Sequence, residues 1–295
     1  MSQMSAAEAL AAIRIVLVAP AGPLNIGSVA RVMKNFGLSQ LVLVTPQCDP
    51  LGAEALQMAV HADDILRSAQ RVTTIPEALV GCECAIATTA RTRGFDAPLQ
   101  RPEVALPTLI TPTSAPTALI FGPEDRGLSN EELTYAQAFT KIPTTDTYSA
   151  LNLAQAVAIC CYELHRTLCP IAQPIEPSSS AASSPPSFLA LRAQGSIPSL
   201  QNAPPSDKQT ESKSTNIATL DELEGYYQHL ETVLLKVEYL YPHTAASRMR
   251  KLRQLLNRAV PAANEVALLR GMLRQVEWAL SRCSNKGSSK GSNKG

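Results

Sequence analysis

Residues 13–31 read IRIVLVAPAGPLNIGSVAR. Ile13–Ala19 is an apolar run rich in β-branched residues and interrupted only by Arg14, the pattern of a strand buried on both faces, as in a parallel sheet. Pro20 and Gly22 interrupt it, and helical spacing begins at Ile26 and holds to Phe36. A buried strand that turns at once into a helix is the building unit of α/β proteins. The turn is neither GxGxxG nor a P-loop, because no Gly-Lys-Ser/Thr follows it. Asn25 is expected as the helix N-cap and Gly27 as a point of close backbone approach. Arg31 is expected about one and a half turns into the helix. Two readings stand side by side. In one, this is a capped helix with a surface arginine. In the other, Asn25 and Arg31 grip a polar ligand such as a phosphate, which guanidinium binds in planar, bidentate geometry.

Outward from this unit the alternation repeats. Leu41–Thr45 (LVLVT) is a second apolar run, and Cys84–Thr88, Ala118–Phe121 and Phe139–Ile142 are shorter strand candidates. Helical patterns lie around Leu51–Arg67 and at Leu151–Leu164. The fold class is therefore α/β, a parallel sheet with helices on both faces. Such sheets bind ligands beyond the carboxyl ends of their strands. Leu119–Leu128, LIFGPEDRGL, sits at one such end and packs Glu124, Asp125 and Arg126 between two glycines. Ile142–Ala156 passes from polar residues into an Ala-rich helix, where Ser149 and Asn152 are candidate caps.

The chain has 295 residues and 45% hydrophobic content but only 4% aromatic, so its core is aliphatic. No run of about 18 apolar residues predicts a membrane span, and the N-terminal stretch does not read as a secretory signal. The 7 cysteines show no zinc spacing, which points to small thiols in a reducing cytoplasm and to no metal site. Residues 170–216 hold 8 of the 22 prolines and many serines, and are expected as a disordered linker. The boundaries that follow are a front domain at 1–169, the linker at 170–216, a three-helix unit at 217–282 and a low-complexity basic tail at 283–295. The front domain carries 11 Lys and Arg against 15 Asp and Glu, whereas residues 217–295 carry 12 against 7. A basic rear favours a polyanion. Thr219 and Glu222 fit a capping box. Leu223, Tyr227, Leu230, Leu234 and Val237 form a stripe expected to face the core. Helices are also expected at Ala245–Ala259 and Pro261–Ser281, the last with proline in its first turn. The middle helix carries Arg248, Arg250, Lys251, Arg253 and Arg258, read either as a solvated face or as a nucleic-acid contact.

Together and in this order, three segments resemble the SpoU/TrmH branch of the SPOUT RNA 2'-O-ribose methyltransferases. They are Asn25–Arg31, Phe121–Glu124 with Gly127-Leu128, and Ile142-Pro143 through Leu151–Ala156. Tyr227–Glu231 and Met249–Ala259 resemble the C-terminal extension of its TrmJ-like subgroup. The resemblance implies a C-terminal trefoil knot in the front domain, a homodimer, S-adenosylmethionine as cofactor and tRNA as partner. It implies cofactor contacts at Thr88, Thr89, Ala90, Gly122, Ile142, Ser149, Ala150 and Leu151. Arg31, Asn25, Glu124 and Asn152 match the polar site residues, and Arg31 with the basic residues of the rear helix would meet RNA. The implied activity is 2'-O-methylation of the first pyrimidine of the anticodon loop, cytidine or uridine at position 32. In related enzymes the arginine and the cofactor contacts come from opposite subunits. A free guanidinium stays protonated at neutral pH and makes a poor base, so Arg31 is expected to hold a phosphate and stabilise the developing alkoxide, with direct deprotonation as the alternative. Glu124 is expected to orient Arg31, and Asp125 and Arg126 to lie at the surface. Ala150 stands where many members have serine, and Ser149 one place earlier. Ribosomal RNA as substrate, or a non-catalytic RNA-binding module of this fold, are the competing readings.

Overall fold

A computed structural model describes residues 5–90, 98–110, 115–169 and 217–288. Seven strands form one sheet: β1 (Ile13–Val18), β2 (Gln40–Val44), β3 (Gln70–Val72), β4 (Cys84–Thr88), β5 (Leu99–Gln100), β6 (Thr117–Phe121) and β7 (Ala138–Thr140). Every pairing is parallel, in the order β3-β2-β1-β6-β4-β7-β5. Late strands are interleaved with early ones: β6 enters between β1 and β4, and β7 between β4 and β5. This interleaving accords with the knotted crossover that the resemblance implies. It also brings the carboxyl ends of β4, β6 and β7 side by side, and there the candidate site lies.

The helices are α1 (Ala6–Ala11), α2 (Pro23–Asn35), α3 (Ala53–Ala59), α4 (Asp63–Ser68), α5 (Ile75–Ala78), α6 (Pro102–Ala105), α7 (Leu153–Leu168), α8 (Leu220–Lys236), α9 (Pro242–Ala259) and α10 (Ala263–Ser288). Strand side chains alternate between the two faces. Ile13, Ile15 and Leu17 join one core with Ile26, Val29, Ala30 and Met33 of α2 and Val157, Cys160 and Cys161 of α7. Val16, Val18 and Ile120 join the other with Leu220, Leu223 and Tyr227 of α8, Met249 of α9 and Val266 of α10. Each fully buried Leu or Ile contributes about 1.5–3 kcal/mol, so this long inventory makes both faces continuous hydrophobic layers. The described residues on either side of the 170–216 segment pack into one compact unit. The segment itself and residues 289–295 lie outside the described residues, while residues 283–288, expected as the start of the tail, continue α10.

Several local expectations change. The helix α2 begins at Pro23, which occupies its first turn, so Gly22 is the N-cap and Asn25 sits inside the first turn. Proline's fixed φ starts the helix early and frees the Asn25 side chain for other work. Arg31 consequently lies more than two turns in. The Leu51–Arg67 pattern is two helices, broken where Val60 takes a left-handed φ of 56°. The short strands β3 and β5 and the helix α1 were not anticipated. Their three, two and six residues are too few to show a period. Pro261 precedes α10 rather than opening it, because Glu265 bonds back to the Ala262 amide at 2.8 Å and sets the cap there. In α8 the amide of Thr219 donates to Glu222 at 3.0 Å as the capping box requires, and Leu223 and Tyr227 are buried, but Val237 is exposed.

Gly27 is required by packing. A Cβ there would stand 2.2 Å from the Ala55 carbonyl oxygen, so α2 and α3 touch backbone to backbone. No helix among the described residues is long and apolar enough to cross a membrane. Six cysteines there are free thiols. Burial pushes Cys82 and Cys84 up to about 11 and Cys160 up to about 12, which makes them inert packing groups rather than nucleophiles.

Candidate active site

Three strand-end loops enclose a cavity of about 180 Å³. The β4 loop supplies Thr88, Thr89 and Ala90; the β6 loop supplies Phe121 to Leu128; the β7 loop and the approach to α7 supply Thr140, Ile142, Ser149, Ala150 and Leu151. All eight residues expected to touch the cofactor line it. Thr88 Oγ1 donates to the Ile120 carbonyl at 3.1 Å and ties the β4 edge to β6. Gly122 has no room for a side chain, since a Cβ would lie 2.3 Å from the Leu128 amide nitrogen. The β6 loop therefore folds back on itself and closes through Gly127 N–H to Pro123 O at 2.9 Å. A lining that mixes small residues at tight turns with the apolar side chains of Leu128, Leu133, Ile142 and Leu151 suits a nucleoside, whose faces want flat apolar contact.

Glu124 ties this wall to the start of α2. Its carboxylate accepts from the amides of Ala21 at 3.0 Å and Gly22 at 3.1 Å and from Asn25 Nδ2 at 2.9 Å. Burial raises its pKa, but the Asn25 and backbone donors outweigh that and hold the carboxyl below the ordinary carboxylate value. The positive end of the α2 dipole acts in the same direction. Asn25 Oδ1 in turn accepts from Asn152 Nδ2 at 2.9 Å, and Asn152 Oδ1 caps α7 by accepting from Ala154 N at 2.9 Å. One chain of hydrogen bonds thus links all three motif segments.

Arg31 is exposed on α2, does not line the cavity, and makes no hydrogen bond or ion pair among the described residues. Glu124 does not reach it; the partners of Glu124 are the Ala21 and Gly22 amides just ahead of α2, and Asn25. Asp125 and Arg126 are exposed, as expected, but the Arg126 guanidinium is not free. It forms a bidentate pair with Glu132 at 2.8 and 2.9 Å, and Glu132 also accepts from the Ser129 amide at 2.6 Å. This brace of the cavity wall was missed, although Ser129-x-x-Glu132 is a capping-box pattern that announces it.

Of the basic residues on α9, Arg248, Lys251 and Arg258 are exposed and Arg250 is half-buried. Arg253 corrects the expectation of RNA contact. It lies over the rings of Tyr227 at 4.5 Å and Tyr135 at 5.5 Å and pairs with Glu224, with side chains only 13% and 14% exposed. Beside it, Tyr227 Oη donates to Asn257 Oδ1 at 2.7 Å, and Asn257 Nδ2 donates to the Thr134 carbonyl at 3.3 Å. These groups fasten α8 and α9 to the turn that holds Leu133 in the cavity wall. No group of three or more His, Cys, Asp or Glu among the described residues is placed to hold a metal ion.

Residues 12–162 match the SpoU rRNA Methylase family, and residues 221–287 match the C-terminal domain of tRNA methyltransferase TrmJ. The chain belongs to the SpoU methylase family. Within that family it falls in the TrmJ-like subgroup. It is 37% identical over 267 residues, 90% of this chain and 93% of the relative, to the tRNA (cytidine/uridine/adenosine-2'-O-)-methyltransferase TrmJ of Pseudomonas aeruginosa. It is 35% identical over 266 residues, 90% and 95% of the two chains, to the tRNA (cytidine/uridine-2'-O-)-methyltransferase TrmJ of Escherichia coli K12. Among solved structures, TrmJ from Z. mobilis ZM4 superposes with a TM-score of 0.70 at 30% identity, over 90% of this chain and 98% of that one. As a SpoU-family methylase the chain is an RNA methyltransferase, and its cofactor is S-adenosylmethionine. The cavity fits that group: Gly122, Ala90 and Ala150 would leave room for a nucleoside against the backbone, with Leu128, Ile142 and Leu151 as apolar contacts, and the Glu124 carboxylate in the lining would favour a cationic ligand. The cofactor supplies an already activated methyl group. What is left to the protein is to align the acceptor hydroxyl with it and to manage the acceptor's proton.

Proposed function

We propose that this protein transfers the methyl group of S-adenosylmethionine to a ribose 2'-hydroxyl of tRNA, at the first pyrimidine of the anticodon loop, cytidine or uridine 32. The observation that carries this reading is the cavity at the ends of β4, β6 and β7, joined through Glu124, Asn25 and Asn152 to the helix of Arg31. The tRNA substrates named for the relatives from P. aeruginosa and E. coli, at 35–37% identity along most of the chain, support it.

In this reading Arg31 holds a backbone phosphate beside the target ribose and lowers the energy of the alkoxide as it develops. The working unit is a homodimer in the cytoplasm, with Arg31 of one subunit serving the cavity of the other. Two features support a shared site. Arg31 stands about 9 Å along α2 from Asn25, by the rise of an α-helix, and is unpartnered within the described residues. Leu24 on α2 and Ile159 and Tyr162 on α7 leave apolar side chains exposed, as a subunit contact would require.

The test is incubation with labelled S-adenosylmethionine and total RNA, followed by mapping of the modified riboses. Label at the first pyrimidine of the anticodon loop is expected. Label confined to ribosomal RNA, or cofactor binding without transfer to any RNA, overturns the proposal.

A further inference from the structure

The α8–α9 connection carries side chains that the reading above does not use. Tyr239 and Tyr241 are 57% and 50% exposed, in a chain that is only 4% aromatic. Water-facing tyrosine rings so close together are costly surface unless something covers them. Between them Leu240 is buried in the core, which anchors the connection and turns both neighbours outward. The Tyr241 ring stacks on His243 at 5.9 Å with 21° between the planes. Arg248 donates to the Tyr239 carbonyl at 2.6 Å and lays its guanidinium over the Tyr239 ring at 5.5 Å. The rings are thus held in place before any partner arrives.

This cluster heads a basic face. Met249 is buried and Leu252 and Leu256 pack partly against the same core, so the opposite side of α9 faces water. Lys251 and Arg258 stand on that side, seven residues apart on one helical face, and the exposed Arg248 flanks it three residues before Lys251. No acidic residue occurs between Glu238 and Glu265. Flat rings beside a row of cations complement a strand whose bases are unpaired, since each base offers a face for stacking and each linkage a phosphate.

We propose that Tyr239, Tyr241 and His243 form a stacking platform for an unpaired RNA base, continued by Arg248, Lys251 and Arg258 as phosphate contacts. It rests on the proposed tRNA function and locates a second contact with a looped strand, apart from the methyl-transfer cavity.

The experiment measures binding of the full chain to a transcribed tRNA and to a blunt RNA duplex of similar length across a salt series. Tyr239→Leu with Tyr241→Leu should weaken tRNA binding about tenfold or more, the scale of a lost base stack, with no change in the salt slope. Tyr239→Phe with Tyr241→Phe should keep wild-type affinity, and duplex binding should be unaffected by either pair. Lys251→Ala and Arg258→Ala should each lower the salt slope by about one. Wild-type affinity for tRNA in the leucine pair, or equal loss on the duplex, overturns the platform. Methyl transfer by the wild-type enzyme is measured in the same preparation. Transfer with unchanged binding in the leucine pair refutes the platform alone. Absence of transfer refutes the proposed activity, while loss of loop binding in the leucine pair still supports the platform.

Discussion

Asn152 Nδ2 donates to Asn25 Oδ1 at 2.9 Å, across 127 positions of sequence. The same Asn152 caps α7 with its oxygen, so one amide serves two ends. An aspartate at 152 keeps the cap, because a carboxylate still accepts from the α7 amides, but has no hydrogen to give Asn25. Asn152→Asp should therefore melt close to wild type and lose most methyl transfer. Asn152→Ala should lose both the link and the cap, at a stability cost of about 1 kcal/mol. Thermal melts beside transfer rates separate the two. Equal transfer by Asn152→Asp and wild type would show that the link is not needed.

Glu124 predicts a pH dependence of the β6 loop. Its pKa is lowered in the folded protein, so the anion's bonds to Ala21, Gly22 and Asn25 add stability at pH above the ordinary carboxylate value. That stability fades as pH falls through the lowered value and the carboxyl protonates. Cofactor affinity should fall over the same acid window. In Glu124→Gln the affinity should be weaker at neutral pH and flatter through that window, as titration calorimetry across pH would report.

The buried pair of Glu224 and Arg253 predicts a stability effect of a different kind. Removing one partner leaves a charge without its counterion in an apolar setting. Glu224→Ala should cost about 3–5 kcal/mol, whereas Glu224→Leu with Arg253→Met should cost much less, because no charge is stranded. Denaturant unfolding of the three proteins measures this. If the pair were a solvated surface contact, both variants would sit within about 1 kcal/mol of wild type.

What the sequence made legible follows from the range of the forces involved. The strands at Ile13, Leu41 and Cys84 announce themselves because a strand buried on both faces must be near-continuously apolar. The eight expected cofactor contacts came from the family resemblance, which three short motif segments carry, and no local pattern in those residues announces them. Asn25 misled because N-cap preference is local, while its true partners, Glu124 and Asn152, lie 99 and 127 positions away. Arg253 misled for a related reason. Its charge reads as solvent-facing until Glu224, 29 positions earlier, is seen to be buried beside it. The strand order was equally hidden, since no local pattern tells β6 to enter between β1 and β4.

The position of Arg31 predicts that two chains make one site. Gly122→Val should destroy the cavity, since its Cβ would strike the Leu128 amide nitrogen at 2.3 Å, and leave Arg31 untouched. Arg31→Ala should abolish transfer and spare cofactor binding. Each protein alone is then inactive. Mixed and allowed to exchange subunits, they form hybrid dimers in which the intact cavity of one chain faces the intact Arg31 of the other. One of the two sites in each hybrid is complete. An equal mixture should recover about a quarter of wild-type activity, as random pairing in a two-fold dimer dictates. If Arg31 served its own chain's cavity, every hybrid site would lack one half and the mixture would stay silent. Transfer rates before and after subunit exchange, with size-exclusion chromatography to confirm the dimer, decide between the two arrangements.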